Sequence, residues 1–181
     1  MNTQPTATVS QAFVDQARQF LIEQYFPKIE RCLEQLNDEQ IWWRGNEQSN
    51  SIGNLLLHLS GNARQWIVSG LGSALDNRER QTEFDERDLI PRAKLLAKLK
   101  QTLIDVDAVL ASFDPEKLLN QYLIQGNTVT ALEAIFHVTE HFSMHTGQII
   151  LLTKMMTQKD LGFYDFSSGA PRHTWQSAGS E

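Results

Sequence analysis

Apolar residues recur three and four apart in four separate stretches of the chain, and each stretch predicts an amphipathic helix. The first runs from Ser10 to Leu36, with Phe13, Ala17, Phe20, Leu21, Tyr25, Ile29, Cys32, Leu33 and Leu36 on one side. Pro27 interrupts it, removing a backbone donor and predicting a kink or two collinear pieces. The second opens at Ser51, a good N-cap, and reaches about Ser69 before Gly70 and Gly72; Ile52, Leu55, Leu56, Leu59, Ala63, Trp66 and Ile67 form its core face. Its first two turns, with Leu57, are apolar nearly all round, which predicts burial among several neighbours. The third starts at Pro91, carries Leu95, Leu96, Leu99, Leu103, Val106, Leu110 and Phe113, and stops before Asp114-Pro115.

The fourth stretch, Thr130 to Met156, is the longest, and Thr130 with Glu133 three residues later has the spacing of a capping box. At 100° per residue its buried arc is Ala134, Val138, Phe142, Ile149, Leu152 and Met156. Between these stretches lie a short helical turn over DEQIWWR, where adjacent Trp42 and Trp43 must point different ways, and a segment around Gly126-Asn127 that reads as a hairpin or an extended loop. Four long amphipathic helices predict an all-α four-helix bundle over residues 10–166. Residues 1–9 read as a disordered N-terminal segment and 167–181 as a polar, loosely held tail. Phe163, Tyr164 and Phe166 cluster just after the last helix; they either fold back to close the bundle or form the contact of a homodimer, the expected assembly.

Composition narrows the function. The net charge of -6 and pI near 5.4 argue against nucleic-acid binding, which draws on clustered Lys and Arg. Arg78, Arg80, Arg87 and Arg92 alternate with Glu79, Glu83, Asp85, Glu86 and Asp88, which reads as a solvated mixed-charge loop. No apolar run approaches the ~20 residues of a membrane span and the N-terminus is polar, so the expected location is the cytoplasm. The single Cys32 excludes an intramolecular disulfide and fits a reducing compartment; it lies on an apolar arc and reads as a core residue.

Candidate chemistry sits on the fourth helix, where His137, His141 and His145 follow one another four apart. His141 and His145 fall on or beside the buried arc, close enough to converge on one metal ion, and His137 lies at its edge. A lone histidine on such an arc is more often a hydrogen-bonded core residue, so a third ligand decides between the readings. The candidates are His58, His173 and His137; His173 in the polar tail is a poor ligand. His58 is the one titratable group in an apolar run and needs a polar partner there, which an ion bound by His141 and His145 supplies. Asn62 faces the same space one turn on, and Gln148 and Tyr164 are further pocket candidates.

The segments SIGNLLLHLSGNARQW and HVTEHFSMHTGQI, with the later DLGFY, resemble the DinB-like superfamily of metal-binding four-helix bundles (the DinB/YfiT-like fold), and within it the DUF1572 branch, from the first helix to about Phe166. That pattern has one metal histidine near the start of the second helix and a His-x-x-x-His pair in the fourth, which here implies His58, His141 and His145 and leaves His137 alongside. Characterised relatives use low-molecular-weight thiols such as mycothiol or bacillithiol in transfer or isomerisation, so the resemblance implies a small-molecule substrate. Three neutral imidazoles leave a divalent ion its full charge and an open position. A thiol bound there gives a transferase and water gives a hydrolase; an ion that only ties helices together gives a non-catalytic binding protein. No carboxylate base is evident, since Glu140 and Glu133 point off the histidine face, and this favours thiol chemistry. Imidazole suits Zn, Ni, Fe and Cu alike.

Overall fold

The computed structural model describes residues 8–175, and the expectation of disorder over 1–9 lies outside that range apart from its last two residues. Thr8 caps the first helix through its hydroxyl, which accepts from the Gln11 amide, and α1 begins at Val9 (Val9–Gln19). The helix continues without a break through a π-helical segment, Phe20–Tyr25, into α2 (Phe26–Glu34). Pro27 is therefore accommodated by a wider turn, not by a separation into two rods. In that turn Phe20 and Tyr25, five apart, stack with centroids 5.7 Å apart, which the 3.6-residue turn of an α-helix does not allow. Phe20 was expected in the core and is instead 38% exposed.

A capping box on Asn37 opens the short α3 (Asp38–Trp42), and a second on Ser51 opens α4 (Ile52–Ala63), which runs on as a π-helical segment, Arg64–Ser69. Trp42 is buried and Trp43 exposed, as their adjacency requires. The charged segment is not a solvated loop. It contains α5 (Arg80–Asp85), which docks on α4 and buries Glu83. After it come α6 (Arg92–Ala111), with Pro91 as its cap, and a hairpin of β1 (Gln121–Ile124) and β2 (Asn127–Thr130). Gln125 and Gly126 both have positive φ, 53° and 78°, as a two-residue type I′ turn demands. Thr130 ends the hairpin and caps α7 (Ala131–Thr157), with the predicted Thr130–Glu133 capping box in place.

The protein is an all-α bundle of four long helices: the α1–α2 helix, α4 with its π extension, α6 and α7. α4 packs between α6 and α7, and α7 closes against α1–α2 as well. The core contains nearly every residue named from the periodicity, from Leu21, Ile29 and Leu33 through Leu56, Leu59 and Ile67 to Leu99, Val106, Val138, Phe142 and Ile149. No helix among the described residues is long and apolar enough to cross a membrane.

Of the loose tail expected over 167–181, residues 176–181 lie outside the described range, and the described part is folded. Residues 161–175 fold back on the first helix through β3 (Tyr164–Asp165) and β4 (Arg172–His173). Arg31 donates to the Gly162 carbonyl at 2.7 Å and to the Thr174 hydroxyl, and the Trp175 indole donates to the Glu23 carbonyl at 2.8 Å. Glu23 lies four residues before Pro27, so Trp175 supplies a donor to the carbonyl whose α-helical partner proline lacks. Phe163 packs half-buried against the core and Tyr164 sits beside His173 and Trp175, while Phe166 stays 65% exposed.

Candidate metal centre

α4 and α7 run side by side and present His58 to His141 and His145. The Nε2 atoms of His141 and His58 are 2.8 Å apart, and one nitrogen from each of the three rings lies within 4.8 Å of the others. His58 and His145 are buried and His141 half-buried. An ion bound tetrahedrally at ~2.0–2.1 Å separates its ligand nitrogens by roughly 3.3 Å, inside this range.

Hydrogen bonds behind the rings fix which nitrogens face the centre. The Nδ1–H of His145 donates to Gln148 Oε1 at 2.7 Å, leaving Nε2 as the lone-pair nitrogen, buried and without any hydrogen-bond partner. His58 Nδ1 lies 2.9 Å from Glu83 Oε2, so the Nδ1–H donates to the carboxylate and Nε2 is again free to bind. Glu83 is held in turn by Arg78, whose Nε and Nη2 donate to its two oxygens at 2.7 and 2.8 Å. Both side chains are nearly inaccessible, 6% exposed for Arg78 and 10% for Glu83. Two features admit this pair. Gly61 has no side chain where a Cβ would overlap the Glu83 carboxylate, and Phe84 packs on the His58 ring at 4.7 Å. The Asn54 amide donates to the Glu83 carbonyl at 2.8 Å and pins α5 to the start of α4.

A family model for a protein of unknown function, DUF1572, matches residues 8–169. The chain belongs to the DUF1572 family. No curated protein matches it. The crystal structure of a conserved protein from Enterococcus faecalis superposes with a TM-score of 0.65 at 15% identity, covering 85% of this chain and 100% of that one, a likeness of fold.

In this DUF1572 protein the remaining sequence candidates separate cleanly. His137 lies beside the three rings, 5.2 Å from His141 between centroids, but its Nε2 is engaged by the Asn62 amide at 3.1 Å and its face by Trp66 at 4.2 Å. Asn62 and Gln148 thus touch the histidines as hydrogen-bonding neighbours. Tyr164 does not; with His173 it belongs to the folded-back tail, where His173 meets Gln24 and stacks on Trp175. Cys32 is fully buried and its thiol is pushed up to about 11 by burial, so it stays a protonated core group. Glu83 and Arg78 were missed.

Burial sets the charge state of the DUF1572 cluster. Desolvation, aided by the neighbouring His145 and His58, lowers His141 to about 3, and desolvation also lowers His145 and His137. For Glu83, burial alone raises the pKa, but hydrogen bonds from Arg78 and His58 outweigh it and the net shift is downward. Burial therefore favours the neutral form of His141 and His145, the form that metal ligation requires. The unfolded chain binds protons at His141 below about 6.5 while the folded chain resists them to about 3, so stability is complete above the first value and falls across that window. Depressed Glu83 acts in the same direction at the acid end. The expected result is a melting temperature for metal-free protein that drops steadily from pH 7 to pH 4, and His141→Gln should flatten the slope.

Proposed function

We propose that this protein is a cytoplasmic, metal-dependent enzyme of the DinB-like superfamily that activates a small thiol for transfer to an electrophilic small molecule. The observation that carries the reading is the convergence of one nitrogen from each of three imidazoles, beside the buried and unpartnered Nε2 of His145. A divalent ion held there, Zn, Ni or Fe by its imidazole donors, lowers the pKa of a thiol or water bound to it. The chain's own part is to hold three imidazole donors in register: Glu83 and Gln148 orient two rings, and Phe84 packs on the ring of His58. Glu83 is committed to His58 and Arg78 and cannot serve as a base for water, which supports thiol chemistry.

The second reading, a hydrolase, has one observation of its own. Glu140 lies 3.6 Å from His137 Nδ1, an acid–imidazole pair beside His141 that can relay a proton. Cobalt(II)-loaded protein separates the two. Titration with glutathione, bacillithiol and mycothiol is expected to produce an intense sulfur-to-cobalt absorption band, absent in His145→Ala. Silence with all three thiols, with metal-dependent ester or amide cleavage lost in His137→Ala, would establish the hydrolase; neither response would leave a binding protein without turnover.

A further inference from the structure

Helix α7 has an outward face that its own chain leaves uncovered. Leu132, Phe136, Met144, Leu151 and Met155 keep between 36% and 61% of their surface exposed. Together they present on the order of 500 Å² of apolar surface along one helix, as much as the largest patch of a typical monomer. On α6, by contrast, Ile104 is the lone large apolar residue on the exposed side. Gly147 lies on the same outward face of α7, and a Cβ there would meet nothing within 4 Å. Glycine in a helix interior costs ~1 kcal/mol relative to alanine, and no neighbour within the chain requires its small size.

This face is complementary to itself. Laid antiparallel on a copy of itself about a two-fold axis midway between Ser143 and Met144, α7 sets Leu132 against Met155 and Phe136 against Leu151. The same axis sets Glu133 against Lys154, an anion against a cation, at both ends of the contact. Glu133 uses Oε2 for its cap, so its other oxygen can face the lysine. Sliding the partner helix by about one turn would place Phe136 on Gly147 and strand Lys154; a parallel pairing would place Glu133 on Glu133. Both alternatives lose the match.

We propose that the protein is a homodimer in which α7 packs antiparallel on α7 of a second copy, Phe136 against Leu151. The contact would extend over ~35 Å of helix and cover the apolar stripe on each copy. It runs along the flank of the metal centre, because Glu140 on the outward face reaches back to His137. The exposed Phe166 of the tail is not part of it.

Sedimentation or light scattering at micromolar concentration is expected to give twice the chain mass, and Phe136→Glu combined with Leu151→Glu to halve it while far-UV circular dichroism stays unchanged. Register is read by mixing a Phe136→Cys chain with a Leu151→Cys chain. Mild oxidation should cross-link the mixture and leave each variant alone largely uncoupled, since the native Cys32 is buried. A wild-type monomer would overturn the proposal. So would a dimer that survives the double glutamate variant, or cross-linking as strong in either variant alone as in the mixture.

Discussion

Protein loaded with zinc or cobalt and stripped of excess ion is expected to retain one ion per chain, and His58→Ala, His141→Ala and His145→Ala each to lose it. His137→Ala and His173→Ala should keep it. The three rings in the first group point unshared or mutually facing nitrogens at one centre. His137 is already bonded to Asn62, and His173 lies with Gln24 and Trp175 at the tail. Loss of a group that merely orients a ligand weakens metal sites by ~10–100-fold, so removal of a ligand should cost more. Elemental analysis after dialysis checks the stoichiometry. Full occupancy in any of the first three variants would remove that residue from the site, and loss in His173→Ala would refute the assignment.

Glu83→Ala is expected to destabilise the fold by ~3–5 kcal/mol, because it leaves the Arg78 guanidinium enclosed with no counter-charge. Arg78 would keep only its bond to Gln65 Oε1, at 2.9 Å, and its contact with His58. Glu83→Gln should be milder for stability yet still lower metal affinity by ~10–100-fold, since a neutral amide holds the His58 Nδ1 proton less firmly. Arg78→Met with Glu83→Leu separates the two effects: removing both charges together should recover much of the stability while metal affinity stays low. Urea unfolding and competition with a chelating dye measure the two quantities. Equal affinity in wild type and Glu83→Gln would confine the pair to a structural role.

The bundle was legible because its four stripes are long, and because caps such as Ser51 and Thr130 announce helix starts through short-range chemistry. The three-histidine convergence was legible for a related reason: a spacing of four on α7 and a lone titratable group in the apolar run of α4 already imply a shared polar space. Glu83 and Arg78 were not, because alternating charge reads as solvated surface and the partner lies 25 residues away in the chain. Two signals pointed the other way. Phe84 is a lone aromatic among charges, and Gly61 sits between Ser60 and Asn62 just after the large apolar run of α4, where a small residue lets another element dock closely. The described part of the tail, up to Trp175, was not legible because its sequence is polar and its anchors, Arg31 and the Trp175 indole on the carbonyl that Pro27 leaves without an amide donor, pair residues far apart in the chain.

The π-helical segments carry a consequence for length variation. Phe20–Tyr25 lies just before Pro27, and Arg64–Ser69 follows the turns bearing His58 and Asn62. A π turn is an α-helix with one residue more than the turn needs. Removing one residue from Arg64–Ser69 would let that segment close into ordinary α geometry, leaving His58 before it and the close approach of Gly70 to Ile124 after it in register. The second helix can therefore absorb a one-residue deletion on one side of the metal centre and not on the other, where the same deletion would turn His58 away from His141.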